Sequence, residues 1–236
     1  MNNTVIARLV DVSKYYGNGA ARVKALDKVN LSLCRGDIVV LVGLSGSGKS
    51  TLLHLLGCID KQDEGNIIID GIDTSSMSLE KLTPLRLHKI GFVFQSFNLI
   101  PVLTAYENIE LPLLFKGLDK QAINERVNQV LDEVGLQDRK KHYPREMSGG
   151  QQQRVAIARA LAGKPSIVLA DEPTANLDSK TGEGILDLLL KLNQQKKSTL
   201  VISSHDSVVL DRIKSVVNIR DGKVWVDCNH VTCKTS

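Results

Sequence analysis

The stretch Gly43-Leu44-Ser45-Gly46-Ser47-Gly48-Lys49-Ser50-Thr51 sets glycines, an ammonium and hydroxyls at a spacing suited to holding phosphate. Glycines let a backbone curl round an anion with its N–H groups pointing inward, and a helix that follows adds the positive end of its dipole. Lys49 can then reach the β- and γ-phosphates, while the Ser50 hydroxyl suits Mg²⁺. A flexible Gly/Ser-rich turn is the plain alternative. The flanks decide against it: Ile38-Val39-Val40-Leu41-Val42 reads as a strand buried on both faces, and Thr51-Leu52-Leu53-His54-Leu55-Leu56 reads as a helix. Such a loop at a strand-to-helix junction predicts a bound nucleoside triphosphate.

Further groups match what chemistry on that ligand needs. Asp171-Glu172 follows the apolar run Ile167-Val168-Leu169-Ala170. Asp171 can join a Mg²⁺ shell, and Glu172 can orient or deprotonate the attacking water; a solvated turn is the other reading. Gln95 follows the strand Ile90-Gly91-Phe92-Val93-Phe94, at the carboxyl edge where open α/β sheets bind ligands. Its carbonyl can ligand Mg²⁺, or its amide can cap a turn. His205 follows the strand Thr199-Leu200-Val201-Ile202-Ser203, where it can contact a γ-phosphate, hold water or serve structure alone. Tyr16 can stack on an adenine or pack on the surface.

Ser148-Gly149-Gly150-Gln151-Gln152-Gln153-Arg154 opens a helix reaching about Ala162. Ser148 is a fair N-cap, and the paired glycines leave the helix N-terminus bare to an incoming anion. That is either a second phosphate-type site or an ordinary helix start.

The elements that must position these groups follow from periodicity and punctuation. Ile6–Val12 reads as a strand and Ser13–Gly19 as a turn cluster holding both tyrosines, while Val29–Leu33 alternates strictly, so the opening portion is antiparallel. Gly65–Ile69 is a strand turning at Asp70-Gly71. Between Ser96 and Tyr143 the texture changes to an inserted helical subdomain. Thr104 and Glu107 form a capping box on a short helix that Pro112 interrupts. Asp119 caps a longer helix with Ile123, Val127, Val130, Leu131 and Val134 on one face, closed by Gly135. The apolar cluster around Phe97, Leu99, Ile100, Leu103 and Tyr106 is either core or a docking surface. Asn176-Leu177-Asp178 leads into an amphipathic helix, and Val216–Val226 closes as a hairpin round Asp221-Gly222.

Composition narrows the function classes. The chain has 236 residues, enough for one large domain with a sizeable core. A formal charge of +4 is too mild to argue for DNA, and 4% aromatics leave few stacking platforms for single-stranded nucleic acid, so no nucleic acid is expected as a partner. No run approaches the ~18 consecutive apolar residues of a membrane helix, and the first residues lack a signal-peptide pattern. Cys34, Cys58, Cys228 and Cys233 form no C-x2-C pair, so thiols in a reducing cytoplasm are expected.

Taken together and in this order, the Gly43 loop, Gln95, the Ser148 segment, Asp171-Glu172, Asn176-Leu177-Asp178 and His205 closely resemble the ATP-binding cassette (ABC) ATPases of membrane transporters. The likeness runs from about Arg8 to Val226. Within that superfamily the chain looks most like the lipoprotein-release and macrolide-export group, through Ser148–Arg154 and the segments Phe97–Pro101 and Glu110–Leu113. The resemblance implies an α/β fold. A P-loop core with a mostly parallel sheet carries an antiparallel N-terminal β-subdomain and an inserted α-helical subdomain. It implies one domain over 1–236, with 1–95 and 160–228 as core, 96–159 as helical subdomain and 229–236 as a polar tail.

The resemblance also implies roles. ATP lies between the Gly43 loop of one copy and Ser148, Gly149, Gly150 and Gln151 of a second copy. Tyr16 stacks on adenine, Ser50, Gln95 and Asp171 ligand Mg²⁺, and Lys49 contacts phosphate. Glu172 is the catalytic base, His205 contacts the γ-phosphate, and Asp178 communicates across the dimer. A separate integral membrane permease is the implied partner, which places the chain on the cytoplasmic face of the inner or plasma membrane. Ser203-Ser204 precedes His205 where the family more often has Thr adjacent, a change expected to leave the chemistry alone. The rival class is a soluble relative acting on nucleic acid or ribosomes; those carry coiled coils, zinc modules or a duplicated cassette, none of which occurs in this sequence.

Overall fold

The computed structural model describes residues 4–226. The polar tail over 229–236 lies outside them, with Cys228 and Cys233. The chain opens with β1 (Val5–Tyr16), β2 (Val23–Cys34), β3 (Ile38–Val42) and α1 (Lys49–Leu56). Then come β4 (Glu64–Ile69), β5 (Ile72–Asp73), α2 (Thr83–Lys89) and β6 (Ile90–Val93). The helices α3 (Ala105–Phe115), α4 (Lys120–Glu133) and α5 (Gly149–Ala162) separate β6 from β7 (Ile167–Asp171). The chain goes on through α6 (Ser179–Lys196), β8 (Thr199–Ser203) and α7 (Ser207–Arg212) to β9 (Ser215–Arg220) and β10 (Lys223–Val226).

Two sheets form. One runs β2-β1-β4-β5 and is antiparallel throughout; the other runs β10-β9-β3-β8-β7-β6 and is parallel except for β10. The fold is thus the α/β arrangement anticipated, with the antiparallel sheet at the N-terminus and the helical insert between β6 and β7. β3 explains the layering. Val39 and Leu41 pack with α1 and the antiparallel sheet, while Val40 packs on the other face with α3, α5 and α6. With both faces covered, apolar residues suit every position of the strand. α1 buries Leu52, Leu53, Leu55 and Leu56, each worth roughly 1.5–3 kcal/mol.

Local signals set the helix starts, at Thr104, Asp119 and Ser148 as the sequence predicts and at Asp178 as the structure adds. Thr104 and Glu107 form the capping box of α3, Asp119 caps α4, Ser148 and Gln151 form a capping box on α5, and Asp178 caps α6. Asp221 and Gly222 both adopt positive φ, the requirement of a tight hairpin between β9 and β10.

Three expectations need correction. β1 does not stop at Val12 but pairs with β2 as far as Tyr16, so both tyrosines belong to a strand. Register shifts on either side of Val12 and Lys14 absorb the irregular pattern, as β-bulges do. Pro112 lies inside α3 without ending it. Ala105, Asn108, Ile109 and Leu113 are buried on both sides of it, and packing against α5 compensates the lost backbone hydrogen bond. Finally, Cys34 is disulfide-bonded, not a thiol, whereas Cys58 is a free, buried thiol.

Candidate active site

The register of the parallel sheet brings the chemistry together. Ser203 at the end of β8 pairs with Leu41 of β3 on one side and with Asp171 of β7 on the other. The carboxyl ends of these adjacent strands therefore carry the Gly43 loop, the Asp171-Glu172 pair and His205 to one edge.

The loop after β3 is closed by sterics that only glycine meets. A Cβ on Gly43 would lie 2.2 Å from the Ile219 carbonyl oxygen, and one on Gly48 would lie 2.6 Å from that of Ala25. Gly48 is also left-handed, with φ 111°, at the N-cap of α1. Gly222 N–H donates to the Ser47 carbonyl at 3.0 Å, so the β9–β10 turn braces the loop. Lys49, 6% exposed, folds back to donate to the carbonyls of Gly43 at 2.7 Å and Leu44 at 3.1 Å. Among the described residues Ser47 Oγ, which is buried, has no partner, and it is the kind of polar atom a bound anion satisfies.

Ser50 Oγ donates to Asp171 Oδ1 at 3.2 Å, and Ser203 Oγ donates to the same oxygen at 2.6 Å. A hydroxyl and a carboxylate this close are hard oxygen donors of the sort that hold Mg²⁺ with several waters retained. Glu172 follows with φ 41°, a conformation costing a non-glycine residue about 1–3 kcal/mol. Its N–H donates to Ser203 Oγ at 2.9 Å, which fixes that backbone. Its Oε1 stands 3.8 Å from Lys49 Nζ and 3.4 Å from His205 Nδ1. The sequence reading noted Ser203 only as a departure before His205; its hydroxyl bonds to both acidic residues at once. Ser204 Oγ accepts from Asp206 N–H at 3.0 Å, a bond any hydroxyl residue there can make.

Gln95 is exposed just beyond β6, and its segment is tied down at both ends. Asn176 Nδ2 donates to its carbonyl at 2.9 Å. Phe97 and Asn98, both left-handed, direct their carbonyls at the Arg159 guanidinium, at 2.9 Å and 2.6 Å. Arg159 is a second residue the sequence reading missed, since its partners lie far off along the chain.

Tyr16 OH donates to Asp60 Oδ2 at 2.8 Å; burial, then this bond, pushes the phenol pKa up. Thr51, in the first turn of α1, lies beside that phenol. Ser148–Gln151 stands apart. Among the described residues no hydrogen bond or ion pair joins it to the Gly43 loop; Gly149 abuts Leu177 and Phe97, and a Cβ on Gly150 would lie 2.5 Å from Thr181 Cγ2. Gln153, one turn on, donates to the Pro173 carbonyl at 2.7 Å and so links α5 to the acidic pair. Asp178 accepts from Thr181 N–H at 3.0 Å, and its bonds to Thr181 hold its pKa below the usual range.

This arrangement has known counterparts. The family model described as ABC transporter matches residues 26–175. The chain belongs to the ABC transporter family. An ABC transporter ATP-binding protein of Thermotoga maritima, itself uncharacterized, is 50% identical over 93% of each chain. The macrolide export ATP-binding/permease protein MacB of Hyphomonas neptunium is 43% identical over 94% of this chain, which spans 34% of that protein. Among solved structures, the dimeric post-hydrolysis state of the ATP-binding cassette MJ0796 bound to ADP and Pi superposes with a TM-score of 0.86. It is 47% identical and covers 92% of this chain and 96% of that one. The chain is thus an ATP-binding, ATP-hydrolysing subunit of the ABC transporter family.

On this ABC ATPase the apolar cluster left open by the sequence divides. Leu99 and Tyr106 pack against the core, while Ile100 is exposed, as are Val102 beside it and, further along, Leu114, Phe115 and Leu118. Phe115 borders a groove of about 360 Å³ with Phe92, Leu111, Pro112, Arg159 and Pro165. No helix among the described residues is long and apolar enough to cross a membrane.

Proposed function

We propose that this ABC ATPase drives a separate membrane permease by closing and opening a dimer with ATP held between two copies of the chain. The observation that carries the reading is the split between two anion-binding features. The Gly43 loop, Lys49, Ser50, Asp171, Glu172 and His205 converge on one strand edge, whereas among the described residues no hydrogen bond or ion pair joins Ser148–Gly150, at the N-terminus of α5, to any of them. A second copy placed head to tail gives that helix end a phosphate to bind. The dimeric MJ0796 cassette, an overall match, supports this assembly.

In this reading the backbone amides of Gly46–Ser50 and the Lys49 ammonium bind the β- and γ-phosphates, and Tyr16 stacks on the adenine. Glu172 accepts the proton of the attacking water, and His205 contacts the γ-phosphate and orients Glu172. Ser50, Asp171 and Gln95 would hold Mg²⁺, which when bound neutralises charge on the phosphates. Asp178 lies at the start of α6 beside the Ser148 segment, and it passes closure between copies.

The groove bordered by Phe115 is the seat for the permease. It is apolar, and Arg159 joins it to the Gln95 segment. The MacB relative, which its name gives as both ATP-binding and permease, supports a membrane partner. The chain then works on the cytoplasmic face of the membrane without entering it. Light scattering with and without ATP tests the assembly: a Glu172→Gln chain is expected to dimerise with ATP and to stay monomeric without it. A monomer under both conditions would sink the sandwich.

A further inference from the structure

The two tyrosines that end β1 have different surroundings. Tyr15 has the Arg22 guanidinium 3.9 Å and Lys24 Nζ 5.6 Å from its ring centroid, so cations occupy its aromatic surface. Tyr16 keeps 42% of its surface exposed, yet its phenol is anchored to Asp60 Oδ2 at 2.8 Å. Asp60 is itself immobilised. Its Oδ1 accepts from Lys14 Nζ at 2.8 Å and from Lys61 N–H at 2.7 Å. Lys14 is 8% exposed, donates also to the Lys61 carbonyl at 2.6 Å, and stands over one face of the Tyr16 ring, 5.2 Å from its centroid, so Tyr16 carries one cation where Tyr15 carries two. Burial works against the Asp60 carboxylate, but the bonds from Lys14 and Tyr16 outweigh it and hold its pKa below the usual range.

We infer that Asp60 is a positioning residue of the nucleotide site: backed by Lys14, its carboxylate holds the Tyr16 ring in the pose on which adenine stacks. The inference rests on Tyr16 being the adenine platform, as proposed above. A phenylalanine would offer the same aromatic face, so the hydroxyl acts by orientation. The braced phenol lies beside Thr51, in the first turn of α1, the helix that carries Lys49 and Ser50. Platform and phosphate loop are thereby neighbours, as base and phosphates are within one nucleotide. A ring ordered in advance does not have to be ordered by the ligand, which is affinity gained without a new contact.

The test is calorimetric affinity for ATP and for tripolyphosphate, with steady-state ATPase kinetics, on the full chain. The variants are Asp60→Ala, Tyr16→Phe, both together, and Tyr16→Ala. Asp60→Ala and Tyr16→Phe are each expected to raise Kd and KM for ATP about 3- to 10-fold, the effect of one hydrogen bond, with kcat unchanged. The double variant should be no weaker than the worse single one, because both remove the same bond. Tripolyphosphate, which has no base to stack, should bind all variants equally. If Tyr16→Ala weakens ATP while Asp60→Ala does not, the brace is refuted and the platform stands. If Tyr16→Ala binds ATP normally, the platform and the brace both fall. Equal losses for ATP and tripolyphosphate, or additive losses in the double variant, would overturn the inference as well.

Discussion

Lys49 Nζ and Glu172 Oε1 face each other 3.8 Å apart, the ammonium on the first residue of α1 and the carboxylate just past β7. Both are mostly buried, and the pair joins the loop proposed to hold phosphate to the carboxylate proposed as the base. His205 Nδ1 stands 3.4 Å from the same Oε1, so both groups meet at Glu172.

Glu172→Gln keeps the size and one acceptor of the side chain but removes the carboxylate proposed as the base. ATP binding should persist while turnover falls about 10²–10⁴-fold, the range of a positioned general base. Titration and single-turnover hydrolysis check this together; an unchanged rate would remove Glu172 from that role.

Lys49→Ala deletes the ammonium that Gly43 and Leu44 now hold with their carbonyls. Losing a charged hydrogen bond to phosphate should weaken nucleotide binding by roughly 1.5–3 kcal/mol. Direct calorimetric titration reads this, and unaltered affinity would count against the Gly43 loop as the site.

Ser148→Arg puts a long cation at the N-cap of α5 and abolishes the capping box with Gln151. ATP should still bind to the Gly43 loop, but the dimer should not form. A dimer seen by light scattering with ATP in this variant would contradict the placing of Ser148 at the partner's nucleotide.

Gly43→Ala would force a methyl to within 2.2 Å of the Ile219 carbonyl oxygen and 2.5 Å of Ser47 Oγ. Backbone must move, at about 1–3 kcal/mol, which for a domain this size lowers Tm by roughly 2–12 °C. An unchanged melting temperature would show that the loop and β9 have room to part.

Burial pushes the Cys58 thiol up from 9.0 to about 11, against a smaller opposite effect of the Arg86 cation. Iodoacetamide at pH 8 should spare Cys58 in the folded chain and label it in denaturant, as read by mass spectrometry. Linkage carries the same sign. From pH 9.0 to about 11 the unfolded chain ionises this thiol while the folded one keeps its proton, so stability falls as pH rises through that window. Rapid labelling of the native protein would refute the burial.

What the sequence determined alone is the local part. The glycine spacing from Gly43, the apolar runs before Gly43 and Asp171, and the caps at Thr104, Asp119, Ser148 and Asp178 all act within a few residues. They set the strand ends, the helix starts and the order of the chemical groups. Tertiary structure decided the rest. Bulges carried β1 on to Tyr16, and packing carried α3 through Pro112. It also matched Ser203 with Asp171, Arg159 with Phe97, and Asp60 with Tyr16. These partners stand dozens of residues apart, and a hydrogen bond has no reach along a chain. Their meeting depends on which strands lie side by side, and that is settled only when both faces of the sheet are buried together.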